Sequence, residues 1–283
     1  MAEVKMRFPG GKQRALTLSY DDGVEQDCRL IAIMQQYGLK GTFNLNSGLY
    51  KENGKVYEKG TIHRRMGEQE VTQLYAESGM EVAVHGWHHP FLEKLPQNLC
   101  VQEIAKDREN LEIQFGCIVR GMAYPYGTYN DAVVDILKYC GIVYSRTVIS
   151  TGRFDLPEDW LRLPATCHHN DPKLMELAKE FVEGTARPFR YGEPQLFYLW
   201  GHSYEFEEHD NWDVIETFAS YMGNRDTIWY ATNMEIYEYI ESFRSLVYSM
   251  DGKMIYNPSA MNIEVMVDGV NYIVPAGKTL TLK

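Results

Sequence analysis

The chain has 283 residues, a formal net charge of −11 at pH 7 and a hydrophobic fraction of 45%. This length suits one large α/β domain, or one domain with a small appendage, and it provides a sizeable core. The acidic balance argues against a nucleic-acid partner, which needs clusters of lysine and arginine. No apolar run approaches the ~18 residues of a membrane span, so we expect no membrane contact.

The location of the protein is predicted from its first residues and its cysteines. Residues 1–9 lack the apolar core of a signal peptide. The five cysteines are widely spaced and odd in number, which fits free thiols in a reducing compartment. We therefore expect a cytoplasmic protein.

Strands and helices alternate along most of the chain. The predicted strands are short and rich in β-branched and aromatic residues, and they cover 15–19, 41–45, 80–84, 118–123, 142–145, 195–200 and 227–230. The predicted helices have apolar residues at helical spacing, and they cover 24–37, 68–78, 99–115, 131–140, 172–183, 212–222 and 233–248. This alternation indicates an α/β barrel of parallel strands.

The last part of the chain has a different pattern, with turn residues between short β-type runs. Residues 267–270, Val-Asp-Gly-Val, predict a tight hairpin. We therefore divide the chain into a barrel, 1–250, and a β-rich appendage, 251–283, packed on it, because loose hairpins are unstable alone. The alternative is that these residues form a carbohydrate-binding or dimerisation element, and an oligomeric protein is therefore among the expectations.

Two adjacent carboxylates, Asp21 and Asp22, follow the first predicted strand, and Gly23 allows a turn after them. Neighbouring like charges raise each other's pKa near a core. A metal ion relieves that conflict, since one carboxylate can bind it while the other stays free as a base. A hydrophilic turn is the alternative.

A histidine-rich segment, His-Gly-Trp-His-His at 85–89, follows another predicted strand. His85 and His89 are four residues apart, so a helical turn or a tight loop puts both imidazoles on one side, whereas His88 points elsewhere. Two imidazoles and one carboxylate make a facial site for a divalent first-row metal, with open positions for water and substrate. A surface loop is the alternative.

The candidate site residues share a position just past the ends of predicted strands. Barrel enzymes place their chemistry at that end. We therefore expect the segments at these strand ends, which include Asp21, Asp22, His85, Tyr126 and His202, to lie close together.

A second cluster, Cys167-His168-His169-Asn170-Asp171, also offers metal donors. Adjacent histidines cannot easily bind one ion with good geometry. We therefore predict a loop that ends in a helix N-cap at Asn170 or Asp171, with substrate contact as the alternative.

Four segments follow one another over roughly residues 14–245. They are SYDDG at 19–23, HGWHH at 85–89, AYPYG at 123–127 and LFYLWGH at 196–202. In this order they resemble the motifs of the polysaccharide deacetylases of NodB type, also called carbohydrate esterase family 4. The resemblance implies a distorted (β/α)7 barrel and the metal-dependent removal of acetyl groups from N- or O-acetylated carbohydrate.

The resemblance also implies a role for each site residue. One divalent ion, with zinc favoured and cobalt or nickel as alternatives, is bound by Asp22, His85 and His89. Asp21 stays off the ion and acts as general base, while His202 donates a proton to the leaving amine or alkoxide.

Further residues near the motifs are assigned to substrate binding. The resemblance implies that the backbone N–H of Tyr126, after Pro125, stabilises the oxyanion. Trp87 and Trp160 have large rings that could stack on a sugar, although most aromatic side chains serve the core.

The proposed acid, His202, ends an apolar run, where burial would lower its pKa and leave it neutral. A general acid must be protonated, so we expect a carboxylate nearby. We place Glu205 beside His202, among the residues on the substrate side of the site. It lies three residues further along the chain and can fold back in one turn. Asp155 and Asp159 are the alternatives, and a solvent-facing Glu205 stays open.

Two departures from the family motifs bear on the substrate. Gly86 stands where the family has serine or threonine, and His-Gly-Trp resembles a branch of the fold that opens small cyclic amides, as imidase- and allantoinase-like enzymes do. Ala123 stands where the family has an arginine that steadies the catalytic aspartate, and Arg120, Arg146 and Arg162 are candidate replacements. A cyclic-amide hydrolase and an inactive sugar-binding protein therefore remain alternatives.

Overall fold

The structure, a computed structural model, describes residues 3–185 and 192–282. Its strands are β1 Val4–Arg7, β2 Arg14–Asp21, β3 Gly41–Leu45, β4 Glu81–Val84, β5 Gly121–Ala123, β6 Tyr144–Ser150, β7 Leu163–Ala165, β8 Cys167–His168, β9 Gln195–Gly201, β10 Ile228–Tyr230, β11 Val247–Tyr248, β12 Met254–Tyr256, β13 Ile263–Val267, β14 Val270–Val274 and β15 Thr279–Thr281. Its α-helices are α1 Asp27–Gln36, α2 Glu68–Ala76, α3 Gln97–Phe115, α4 Asp131–Tyr139, α5 Leu174–Glu183, α6 Tyr204–Glu208, α7 Trp212–Met222 and α8 Asn233–Arg244. Among these helices, none is long and apolar enough to cross a membrane.

A parallel sheet that closes into a barrel forms the centre of the fold. Its strands are hydrogen-bonded in the order β7-β6-β5-β4-β3-β2-β9-β8, and β10 pairs with the first residues of β2. β7 and β8 are successive parts of one bent segment, 163–168, in which β7 pairs with β6 and β8 pairs with β9. This segment joins both edges of the sheet, so the predicted α/β barrel is confirmed.

The central strand β2 carries the chain through the core to the site. All of its residues from Ala15 to Asp21 are buried, as expected for a parallel strand with both faces covered. β2 pairs with β9 on one side, and with β3 and β10 on the other. Asp21 therefore reaches the barrel end as the last residue of a strand that its neighbours hold on both sides.

Several elements differ from their prediction, and three of them bear on the fold. The segment 227–230 was expected to complete the barrel, but β10 pairs only with residues 14–16, and 163–168 closes the sheet instead. The helix predicted to end at Tyr248 ends at Arg244, because residues 247–248 pair with β12. β1 was not predicted, since its partner β13 lies at the far end of the chain.

The C-terminal strands, together with the N-terminal β1, form two small antiparallel sheets, β1-β13-β14 and β11-β12-β15. The predicted hairpin is present, with Val267 paired to Val270 and positive φ angles at Asp268 and Gly269. Tyr239 of α8 connects this region to the barrel helices, because its hydroxyl donates to the Arg7 carbonyl at 2.6 Å and accepts from the backbone of β13. The boundary at residue 250 stays a prediction.

We expect Gly121→Ala to lower the free energy of unfolding by ~1–3 kcal/mol, the usual effect of overpacking. A Cβ at Gly121 would overlap the side chain of Tyr144, whose hydroxyl donates to half-buried Glu81 at 2.6 Å. Urea denaturation measures the effect. In a Tyr144→Ala background, Gly121→Ala should lower the free energy of unfolding by less than it does in the wild type, because the clashing ring is gone. Strict additivity of the two effects would contradict this explanation.

Candidate active site

The chemistry-bearing side chains lie at one end of the barrel, where parallel strands finish. Asp21 is the last residue of β2, His85 follows β4, and His202 follows β9. The Oδ2 atom of Asp21 lies 3.7 Å from Nε2 of His85 and 3.7 Å from Nε2 of His202. The structure thus brings together the distant segments that end at these strands.

Asp22, His85 and His89 form a set of three possible metal ligands, with one ligand atom from each within 4.8 Å of the others. Nε2 of His85 and Nε2 of His89 are 3.1 Å apart, and Oδ1 of Asp22 is 3.9 Å from Nε2 of His89. Ligands at ~2.0–2.2 Å from one ion have similar separations, so the set fits a small divalent cation. His85 donates from Nδ1 to the Ala123 carbonyl at 2.8 Å, which leaves its Nε2 free to bind an ion.

The protonation states of this set also suit a metal, which needs deprotonated ligands. Burial lowers the pKa of His85, and burial together with His85 lowers the pKa of His89 to about 4. Burial alone would raise the pKa of Asp22, but the hydrogen bond from His63 and the guanidinium of Arg65 hold it well below its usual range. At neutral pH the set therefore comprises two neutral imidazoles and one carboxylate.

The two residues that contact Asp22 were not predicted. His63 and Arg65 come from the long connection between β3 and α2, and they lie 3.1 Å from Oδ2 and 2.9 Å from Oδ1 respectively. Arg65 also donates to the Asp22 backbone carbonyl at 2.6 Å and to the Asn46 side chain at 2.8 Å. These bonds hold Asp22 at a φ of 86°, which is uncommon outside glycine. A His-Arg-Arg run in an acidic chain is the sequence feature that could have indicated them.

Asp21 has a different set of partners. Asn44 donates to its Oδ1 at 2.8 Å, and the buried guanidinium of Arg146 contacts its Oδ2. Burial would raise the pKa of Asp21, but Arg146, His85 and His202 together lower it. Asp21 is therefore ionised at neutral pH, and its Oδ2 faces both imidazoles, where a base would be needed.

Arg146 contacts the aspartate that the missing family arginine would steady. In the register of β5 and β6, Arg146 lies directly beside Ala123, so its guanidinium reaches Asp21 from the neighbouring strand. The other two candidates, Arg120 and Arg162, form ion pairs with carboxylates elsewhere. Among the three, Arg146 alone contacts Asp21 in the part of the chain that the structure describes.

His202 has a carboxylate neighbour, since its Nδ1 lies 3.1 Å from Oε1 of Glu205. Asp155 and Asp159 instead pair with arginines near them in the sequence. Burial by itself would lower the pKa of His202, but the bond to Glu205 and the carboxylate of Asp21 outweigh burial and raise it. The structure thus places Glu205 where the sequence argument put it, beside the predicted acid.

Tyr126 forms an aromatic surface beside the candidate ligands. Its half-exposed ring stacks on Phe91, with centroids 3.9 Å apart, and meets the His89 ring at 4.4 Å. Its backbone has a φ of 58°, a strained conformation for a residue with a side chain. Pro125 before it is buried against Gly86, where a Cβ would lie 3.2 Å from Cγ of Pro125.

The two tryptophans assigned to sugar binding have different surroundings. Trp160 is buried, and its Nε1 donates to Glu241 of α8 at 2.7 Å. A buried indole with a satisfied N–H cannot stack on a sugar, so we withdraw Trp160 as a substrate residue. Trp87 is partly buried and packs on His88, with ring centroids 4.0 Å apart. Its role in substrate binding stays a prediction.

His168 and His169 lie at the end of β8 rather than in a capping loop. Their Nε2 atoms are 3.2 Å and 2.9 Å from Oε2 of Glu205. Helix α5 begins at Leu174 with Lys173 as its N-cap, so the N-cap is not at Asn170 or Asp171 as predicted, although the Asp171 carboxylate accepts from the Lys173 N–H at 2.8 Å in the turn before the helix. The local sequence is typical of a cap, but the pairing of β8 with β9 decides where these residues lie.

The sequence was compared with protein families and with curated proteins. Residues 9–145 match the polysaccharide deacetylase family model. The resemblance to the polysaccharide deacetylases is confirmed. The uncharacterized protein YlxY of Bacillus subtilis is 25% identical over 108 residues, which are 38% of this chain and 29% of that protein. The chain therefore matches under a third of the length of this curated relative.

Several solved structures are similar to the chain at low sequence identity. A protein from Mycobacterium smegmatis, provisionally named a polysaccharide deacetylase, has a TM-score of 0.58 at 15% identity and covers 86% of this chain and 96% of its own. A family 4 carbohydrate esterase from Streptomyces lividans in complex with acetate has a TM-score of 0.47 at 16% identity, and the match covers 74% of this chain and 89% of that one. A family 4 pseudoenzyme from Bacillus anthracis has a TM-score of 0.49 at 16% identity, and the match covers 82% of this chain and 67% of that one. The first of these likenesses supports the NodB-type barrel.

We expect His89→Ala to lose bound metal, because it removes one of three ligands. Metal affinity should fall by more than the ~10–100-fold that loss of an outer-shell partner causes. The measurement is elemental analysis after loading with zinc, cobalt or nickel and desalting. His88→Ala is the matched control, since its side chain is 45% exposed and pairs with Glu103. Full occupancy in His89→Ala would show that the ligand set is wrong.

We expect Arg146→Met to lower the free energy of unfolding by ~3–5 kcal/mol at pH 7, because it leaves the buried Asp21 charge uncompensated. The wild-type pKa of Asp21 is lowered from 3.8, so its pairing stabilises the fold above that pH and is lost as the pH falls through the folded value. Without the guanidinium, burial should raise the pKa of Asp21 in the variant, so its carboxyl takes up a proton as the pH falls and the deficit of the variant should shrink towards pH 4 in urea titrations.

A second variant controls for the loss of the large side chain at position 146. Ala123→Arg, combined with Arg146→Met, returns a guanidinium to the strand beside the lost one. Part of the stability at pH 7 should return if charge compensation is the reason. A deficit of equal size at pH 7 and pH 4 would instead point to packing.

Proposed function

We propose that the protein is a metal-dependent hydrolase that removes acetyl groups from N- or O-acetylated carbohydrate. The observation that carries this proposal is the arrangement of Asp21, whose Oδ2 lies between His85 of the candidate metal set and His202. Acyl transfer to water needs a base on one side of the carbonyl and an acid on the other. Asp21 and His202 supply that pair around one small space.

The candidate ligands Asp22, His85 and His89 suit zinc, with cobalt or nickel as alternatives. A divalent ion held there would polarise an acyl carbonyl and lower the pKa of water from ~15.7 towards 7. Asp21 would take a proton from the attacking water, since Asn44 and Arg146 keep it ionised.

The acid side of the reaction depends on His202. Its raised pKa keeps a proton available near neutral pH, and Nδ1 is engaged with Glu205, so Nε2 is the nitrogen that faces the reacting group. Proton donation from Nε2 is essential for an amide, because an amide anion is a very poor leaving group. We therefore assign His202 as general acid and Glu205 as the group that orients it.

The substrate side is supported by the aromatic surface of Tyr126 and Phe91. The stacked rings are partly exposed beside His89, where a sugar ring attached to the acetyl group could lie against them. The left-handed backbone at Tyr126 turns this residue sharply after Pro125, which would direct its N–H towards a developing oxyanion.

The structure offers a conformational reason for Gly86, which had suggested a cyclic-amide substrate. Its φ is +77°, and a Cβ would press on Pro125. Glycine is favoured there by backbone geometry whatever the substrate. We therefore propose the carbohydrate deacetylase in preference to the cyclic-amide hydrolase.

A cytoplasmic location is part of the proposal. The five cysteines are all free thiols in the structure, and two of them are exposed. Exposed thiols persist best in a reducing compartment.

The test is acetate release from acetylated oligosaccharides, with small cyclic amides assayed in parallel and zinc, cobalt or nickel added. Asp21→Asn should lower kcat by ~10²–10⁴, the usual share of a general base, while bound metal stays unchanged. Activity on cyclic amides alone would overturn the proposed substrate class. Binding of acetylated sugars without turnover would indicate the inactive sugar-binding alternative.

A further inference from the structure

Glu205 meets three imidazoles rather than one. Its Oε1 lies 3.1 Å from Nδ1 of His202, and its Oε2 lies 3.2 Å from Nε2 of His168 and 2.9 Å from Nε2 of His169. His168 is the last residue of β8, the strand that closes the barrel against β9, and His169 follows it. One oxygen of the carboxylate thus faces the proposed acid, and the other faces the two rings behind it and accepts from Nδ2 of Asn170 at 3.4 Å.

The tautomer of His168 is defined by a backbone contact. The N–H of Asn170 donates to Nδ1 of His168 at 3.2 Å, so the proton of the neutral ring is on Nε2, which faces Glu205. A neutral imidazole that bound a metal through Nε2 would carry its proton on Nδ1, where Asn170 already donates. This arrangement favours His168 as a hydrogen donor to Glu205 over its use as a metal ligand.

His169 is fixed in place by its packing. It is fully buried, with Tyr20 and Phe206 on its faces at centroid distances of 5.7 Å and 4.1 Å. A Cβ at Gly201 would overlap the ring, so the residue before His202 must lack a side chain for His169 to lie there. Burial lowers the pKa of His169 to about 4, and it therefore contributes a polar neutral ring.

We propose that His168 and His169 are positioning residues that hold the Glu205 carboxylate in line with Nδ1 of His202. With Oε2 held from behind, Glu205 has one orientation in which Oε1 meets the acid, and Nε2 of His202 then stays directed at Asp21. This inference rests on the proposed function for its catalytic meaning, while the geometry itself can be tested without turnover.

Several other groups face His202 and contribute to its titration. Asp21 lies 3.7 Å from its Nε2, and the rings of Tyr204, Trp200 and His168 lie at centroid distances of 5.3, 5.9 and 6.4 Å. Asp22 adds a further negative charge at longer range. A substitution of His169 changes none of these groups, whereas His168→Leu removes one of them, so the His169 variant is the more direct report on Glu205.

The test is the titration of His202 by NMR of ¹⁵N-labelled imidazoles in the zinc-loaded protein, with His202→Gln to assign the signal. In His168→Leu and His169→Phe, the pKa of His202 should fall by about one unit, as expected when a hydrogen-bonded charged partner loses its alignment. His168→Gln keeps an N–H donor, so the pKa of His202 in this variant should stay close to its wild-type value. His209→Leu, at an exposed position at the end of α6, is the control and should leave it unchanged.

Activity and metal content complete the design. The basic limb of the kcat profile should move to lower pH in both variants, with kcat at pH 8 about 10-fold lower and bound zinc unchanged. An unshifted His202 pKa in His168→Leu and His169→Phe would overturn the proposal. Loss of one zinc equivalent in His168→Leu would overturn it in favour of a second metal site. If the wild type releases no acetate, the proposed function fails, but the titration still decides the positioning role.

Discussion

Two adjacent buried carboxylates are the constraint around which the barrel end is built. Asp21 and Asp22 are 2% and 7% exposed, and a buried charge is tolerated only with partners. Their partners come from different parts of the chain: Arg146 on β6 serves Asp21, and Arg65 from the β3–α2 connection serves Asp22. Separate compensation lets the two carboxylates stay ionised, although they are neighbours in sequence.

The position of Arg146 shows that, in a parallel barrel, the same contact can be made by a side chain on one strand or on its neighbour. Neighbouring strands end at the same level, so a long side chain on β6 reaches the point that one on β5 would reach. Ala123 and Arg146 are register partners, and the small Ala123 leaves its carbonyl to accept from His85. The family motif is incomplete when read along the chain, yet the guanidinium contact to Asp21 is present in space.

Local pattern was sufficient for the residues whose geometry depends on a short stretch of chain. The spacing of His85 and His89, and the turn from His202 to Glu205, involve at most four residues, so their proximity could be predicted. Arg146 could be named only as one of three candidates, because strand register is set by partners distant in sequence. His63 was missed for the same reason, since it reaches Asp22 from a connection without regular structure. Trp160 was assigned wrongly because proximity to a motif in sequence does not reveal which core a ring enters.

The histidines of the site differ mainly in what their Nδ1 atoms contact. Nδ1 of His85 donates to a backbone carbonyl, a neutral acceptor, and burial then keeps the ring neutral and its Nε2 available as a ligand. Nδ1 of His202 faces the carboxylate of Glu205, which offsets burial and favours the protonated ring. Under the proposed function, the same side chain would bind metal on one side of Asp21 and donate a proton on the other. This division requires that Glu205 stay ionised, and the histidines around it lower its pKa despite burial. The assignment of acid and ligand therefore depends as much on these second contacts as on the histidines themselves.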